Sequence, residues 1–143
     1  MSASQKLTFV EAADIETQHF GWGRLNWLSE PSVTAADRFS AGVVTLTPGQ
    51  GHARHNHPDS EEILYIIKGI GQQMVEVNGK PVEREVGPGV LVHIPNGAYH
   101  STVNTSDEEM ILLAVYAPFG PEALLRSLPE CTVEPPQREP VGP

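Results

Sequence analysis

The segment HARHNHPDSEEILYIIKG, His52 to Gly69, crowds three imidazoles and two adjacent carboxylates against the apolar run Ile63 to Ile67. In an extended chain, side chains two apart share a face, so His55 and His57 aim two imidazoles at one point while Asn56 turns away. Two convergent nitrogens make half a metal site. After the turn-forming Pro58-Asp59-Ser60 the chain enters a further strand, where a carboxylate can complete a third position. Glu61 and Glu62 both offer one.

This spacing resembles the first motif of the cupin superfamily, G(X)5HXH(X)3-4E(X)6G, which Gly49, His55, His57, Glu62 and Gly69 fit. Glu61 would leave seven residues before the closing glycine, so the resemblance favours Glu62. The second cupin motif, G(X)5PXG(X)2H(X)3N, is met by Gly89, Pro95, Gly97, His100 and Asn104 after an interval of nineteen residues. The resemblance covers Gly49 to Asn104. It implies an all-β cupin jelly-roll barrel (double-stranded β-helix) in which His55, His57, Glu62 and His100 converge on one divalent transition metal ion. Three neutral nitrogens and one carboxylate suit Fe, Mn, Ni, Co or Zn. On a six-coordinate ion they leave two adjacent positions for water, substrate or dioxygen. Without an ion, burying such a set is costly unless a hydrogen-bond network satisfies it. The motif glycines and prolines read as turn formers, and Asn104 as structural.

The remaining polar residues are candidates for holding a substrate. Gln73 faces the metal if Gln73, Val75 and Val77 form the inward set, His93 lines the pocket or its rim, and Tyr99 sits in the turn beside His100. Arg38, Arg54 and Gln73 are the groups available to orient a carboxylate or enolate, although Arg54 is out of register with His55 and His57 and suits a surface role. His52 reads as a solvated loop residue, and Tyr65, three positions beyond Glu62, falls on the opposite face. Leu64 and Ile66 share the Glu62 face, and an apolar wall around an open metal site favours small organic ligands.

The resemblance therefore implies a metal-dependent enzyme, foremost a dioxygenase-type oxidoreductase whose substrate chelates the ion. Glu62 would be its catalytic residue, tuning charge and shuttling a proton. The alternatives are a redox-silent isomerase, decarboxylase or lyase, and a small-molecule-binding module without turnover. The several basic residues of sugar-phosphate-handling cupins are missing.

To hold these groups the chain needs short strands, and it is punctuated accordingly. Arg38 to Leu46, Glu62 to Lys68, Gln72 to Val77, Val90 to Ile94, His100 to Val103 and Met110 to Tyr116 read as strands between Gly and Pro breakers. Asn78-Gly79 is a hairpin turn. Only Glu122 to Leu128 has helical character. This divides the chain into a front segment, 1–37, a barrel, 38–118, and a short helix with a proline-rich tail, 119–143, the tail from Pro129 onward being too rich in proline for regular structure. Both tryptophans lie in the front segment, as GWGRLNWL, where an edge strand or a homodimer contact is expected.

A length of 143 residues suits one domain. The net charge of −9 argues against nucleic acid or an anionic membrane as partner and leaves a small-molecule substrate. The lone Cys131 excludes an internal disulfide and a cysteine-type zinc site. Acidic residues in the opening MSASQKLTFVEAADIE do not suit a secretory leader, and no apolar run is long enough to span a bilayer, so a cytoplasmic setting is expected.

Overall fold

The computed structural model describes residues 5–138. Along the chain come β1 (Thr17–Phe20), β2 (Gly23–Ser29), α1 (Pro31–Thr34), β3 (Ser40–Leu46), β4 (Gly51–His55), β5 (Glu61–Lys68) and β6 (Gly71–Val77). Then follow β7 (Lys80–Val86), β8 (Leu91–Ile94), β9 (His100–Asn104), β10 (Met110–Ala117), α2 (Pro121–Arg126) and β11 (Thr132–Glu134). They form two antiparallel sheets, one of seven strands in the order β11-β1-β2-β3-β10-β5-β8 and one of four in the order β4-β9-β6-β7. This is the all-β jelly roll that the cupin resemblance implies.

Alternation decides what lies between the sheets. On β5, Glu62, Leu64 and Ile66 are buried while Glu61, Tyr65 and Ile67 are exposed, and on β10 the buried set is Met110, Leu112, Ala114 and Tyr116. Leu25 and Trp27 from β2 and Val44 and Leu46 from β3 join them, so the larger sheet supplies most of an apolar core. The smaller sheet adds Val75 and Val86, yet several of its inward positions are polar: His100, Thr102 and Asn104 on β9, and Gln73 on β6. Asn104 is structural, but an all-apolar wall would pack as well at the other positions, so His100, Thr102 and Gln73 point to use rather than support.

The β6–β7 hairpin turns on Asn78 and Gly79, both at positive φ (53° and 77°), the backbone that the dipeptide adopts with least strain. Asn104 is fully buried, donates to Leu46 O and Glu108 O and accepts from Ser106 N and Oγ, which fastens the β9–β10 loop to the end of β3. Arg126 at the end of α2 pairs with Glu16 and Glu30, tying the helix to the front of the chain.

The front segment forms a β1–β2 hairpin in the large sheet, and Trp27, 1% exposed, is part of the core, its indole donating to the buried Gln18. Two expectations change. Strand β7 lies where no strand is expected, because an edge strand with only two valines, Val82 and Val86, around the charged run Glu83-Arg84-Glu85, and with Pro81 in it, carries little apolar signal. The tail is not structureless: Thr132–Glu134 pairs with β1, and His19 meets Glu134 at 2.7 Å. The expectations for residues 1–4 and 139–143 lie outside the described residues. No helix among the described residues is long and apolar enough to cross a membrane.

Candidate metal centre

Four elements bring the imidazoles and carboxylate together. His55 ends β4 and is registered directly opposite His100, the first residue of β9. His57 lies just beyond the end of β4, and its carbonyl accepts from Ser60 N at 3.1 Å and Gly97 N at 3.2 Å, so both motif loops fix its place. Gly97 has a φ of 76°, a conformation in which a side chain would strain that second contact. Glu62 enters from β5, in the facing sheet.

The ring nitrogens of His55, His57 and His100 lie within 4.8 Å of one another, a grouping that could hold a metal ion. Oε1 of Glu62 approaches Nε2 of His100 at 3.1 Å and Nε2 of His57 at 3.6 Å. Glu62 and His100 are almost fully buried. The proton positions follow from the backbone. Nδ1 of His55 meets Ala53 O at 2.6 Å and Nδ1 of His100 meets Ala98 O at 2.9 Å. A carbonyl only accepts, so both Nδ1 atoms carry a hydrogen, and in the neutral rings both Nε2 atoms carry a lone pair.

Nε2 of His57, Nε2 of His100 and Oε1 of Glu62 are buried atoms without a hydrogen-bond partner among the described residues. In the neutral His100 ring the Nε2 lone pair faces Oε1 of Glu62, and two acceptors at this range repel one another unless a cation lies between them. A single proton would join one pair; the convergence of three imidazoles and a carboxylate matches the donor set of a divalent transition metal. Burial pushes His52 and His55 down to about 3 and His57 to about 4, with repulsion from neighbouring imidazoles adding to it, so the rings are neutral and free to ligate at neutral pH.

Two neighbours carry little sequence signal. His52, read as a loop residue, stacks on His55 with ring centroids 3.7 Å apart and is backed by Trp22 at 5.1 Å and Phe20 beyond it. Tyr116, on β10 in register with Glu62, sits edge-on to His57 at 5.0 Å. Burial first, and then the Glu62 carboxylate, hold its phenol well above the usual range and therefore protonated.

Of the expected substrate residues, the structure brings Gln73 to the inner wall, 3% exposed, where it accepts from Thr102 Oγ1 at 2.6 Å. His93 and Tyr99 are set outside. On β8 the inward positions are Val92 and Ile94, leaving His93 exposed and bonded to Glu61 on the outer face. Tyr99 lies under the Arg54 guanidinium, 3.8 Å from the ring centroid, and Arg54 is itself bound to Glu76 outside the small sheet.

Comparison with known proteins fits this geometry. Glucose-6-phosphate isomerase of Thermococcus kodakarensis is 41% identical over 72 residues, 50% of this chain but only 36% of that protein, so the chain spans about a third of its length. Polyketide synthase CurC of Streptomyces cyaneus is 28% identical over 116 residues, covering 81% of this chain and 73% of that one. The fold superposes on oxalate decarboxylase of Lactobacillus farciminis, solved as a formate complex, with a TM-score of 0.67 and 25% identity over 81% of this chain and 36% of the other. A family model described as a cupin domain matches residues 42–116, just over half of the sequence and all of the residues that build the centre, and the chain belongs to that cupin family.

Proposed function

We propose that this cupin is a metal-dependent enzyme in which His55, His57, His100 and Glu62 hold one divalent transition metal ion and a small organic substrate meets it through oxygen atoms. The observation that carries this reading is the unpaired set at the centre, Nε2 of His57 and His100 facing Oε1 of Glu62. When bound, such an ion supplies Lewis-acid polarisation of substrate oxygens. The residues of the chain do the rest. Glu62 contributes the one negative charge of the set, Tyr116 offers a protonated O–H at the wall beside it, and Gln73 offers an amide. Leu64, Ile66 and Ala114 line the interior with carbon and limit water.

Redox-silent chemistry, isomerisation, decarboxylation or lyase-type cleavage, is the better supported reaction type. Similarity to an isomerase and to a decarboxylase supports it, and Tyr116 supplies the proton-carrying group that the sequence alone left unplaced. The similarity to a polyketide synthase protein over most of the chain supports an oxygen-rich organic substrate. A dioxygenase is the second reading, favoured by the apolar lining and by the two open positions that four protein ligands leave on a six-coordinate ion.

Metal analysis of the purified protein, joined to an oxygen-uptake screen, tests both. Zinc or manganese with anaerobic turnover supports the first; iron with substrate-dependent oxygen consumption supports the second. A protein that takes up no transition metal on titration would refute the proposal.

A further inference from the structure

Two registered rows cross the inner face of the four-stranded sheet. The first runs His55, His100, Val75 and Val82 over β4, β9, β6 and β7, and includes two of the imidazoles. The second lies two residues along and runs His52, Thr102, Gln73 and Arg84. Every member of the second row is polar. Thr102 Oγ1 donates to Gln73 Oε1 at 2.6 Å, and Gln73 Nε2 donates to Met74 O at 3.2 Å, which leaves its second amide hydrogen without a partner among the described residues.

The row ends at Arg84. The other five arginines each meet a carboxylate: Arg24 with Glu109, Arg38 with Asp37, Arg54 with Glu76, Arg126 with Glu16 and Arg138 with Asp14. Among the described residues Arg84 has no such pair, its Nε donating only to Glu85 O at 3.1 Å. Among the described residues no strand lies beyond β7, and Val82, on the same face, is 54% exposed, so the inner face is open to solvent here. A guanidinium without a counter-charge, on the open rim of a polar row in a chain of net charge −9, is a local attraction for an anion that the molecule as a whole repels.

We propose that Arg84 binds the carboxylate of an organic anion whose other end reaches the metal centre, with the Gln73 amide bonding to the molecule between them. Neighbouring strands stand about 4.8 Å apart, so the backbone of β7 is roughly 10 Å from that of β9. That span selects a molecule with two separated polar ends, such as a dicarboxylate or a keto acid, over a compact anion such as formate. The inference rests on the metal-centre reading and adds the substrate class to it.

The test uses the full chain loaded with metal and two probes, succinate and its half-amide succinamate, with binding followed by calorimetry. Arg84→Gln is expected to weaken succinate by about tenfold, to leave succinamate and metal affinity unchanged, and to be largely rescued in Arg84→Lys. Arg84 is exposed on an edge strand, so each variant folds. Equal loss for both probes, no loss for either, or no succinate binding by the native loaded protein would each overturn the inference. Failure of the underlying reading is seen separately, as a native chain that takes up no metal before any probe is added.

Discussion

Nε2 of His100 and Oε1 of Glu62 face each other at 3.1 Å, and in the neutral ring the hydrogen of His100 goes to Ala98 O, which leaves two acceptors opposed. Glu62→Gln keeps the shape and converts one acceptor into an amide donor that can bond to the Nε2 lone pair of neutral His100. Metal affinity is expected to fall at least about 100-fold, since a charged ligand is lost. The metal-free variant is expected to melt a few degrees higher than the native protein, as one relieved contact contributes about 1 kcal/mol. Calorimetric metal titration and thermal melts of both metal-free proteins check this. A lower melting point with an undiminished metal-induced shift would show that Glu62 is not part of the set.

His52 lies flat against His55 and is held there by Trp22, so it limits the rotation of a ring that its own hydrogen bond to Ala53 already orients. His52→Phe preserves the stack and is expected to bind cobalt with an unchanged visible spectrum. His52→Ala frees the ring and is expected to weaken binding by roughly tenfold, the range seen when a ligand loses its orienting neighbour. If the phenylalanine variant loses as much as the alanine one, the imidazole matters for its nitrogen and not for its face.

How much of this was legible in the sequence depends on where strand alternation holds. It holds on β5, where Leu64 and Ile66 follow Glu62 inward as expected. It fails on β4, where a bulge between His52 and His55 turns both rings to the same side despite their odd spacing. His55 and His57 converge although His57 has left the strand, because the Ser60 and Gly97 amides hold its backbone. Arg84 is silent in the sequence for a different reason: its edge strand is only weakly apolar, and without that strand its inward residues cannot be counted. Tyr116 reads as the end of an apolar strand, and only the pairing of β10 with β5 shows it beside Glu62.

Acid should loosen the metal-free protein. His52, His55 and His57 are held near 3, 3 and 4 in the fold, against an ordinary 6.5 once unfolded. Between those values the unfolded chain binds protons that the folded one refuses, so stability falls as pH drops below about 6.5 and stops falling on their account near 3. Urea midpoints of the metal-free protein at neutral pH and at about pH 5 should therefore differ, with the acidic one lower. The His52→Phe variant should show a shallower decline. A midpoint that holds steady or rises toward acid would mean that these rings take up protons without opposing the fold.

Asn104 is the motif residue whose place is purely architectural. Its two amide hydrogens go to Leu46 O at 3.0 Å and Glu108 O at 2.7 Å, while Oδ1 accepts from Ser106 N and Oγ, so all four bonding positions are filled in a site with no exposure. Asn104→Ala removes the donors to Leu46 O and Glu108 O, leaving the latter only its contact with Ser106 Oγ, and is expected to cost about 1 to 3 kcal/mol. Asn104→Asp is closer in shape yet should be worse. It keeps the contacts to Ser106 but aims a carboxylate oxygen at two carbonyl oxygens, adding repulsion and a buried charge to the lost bonds. Urea unfolding of the two variants decides the order, and metal stoichiometry of the folded protein should be that of the native chain in both. An aspartate variant as stable as the alanine one would mean that the loop relaxes away from Leu46, and that Asn104 sets its conformation less firmly than four filled bonds imply.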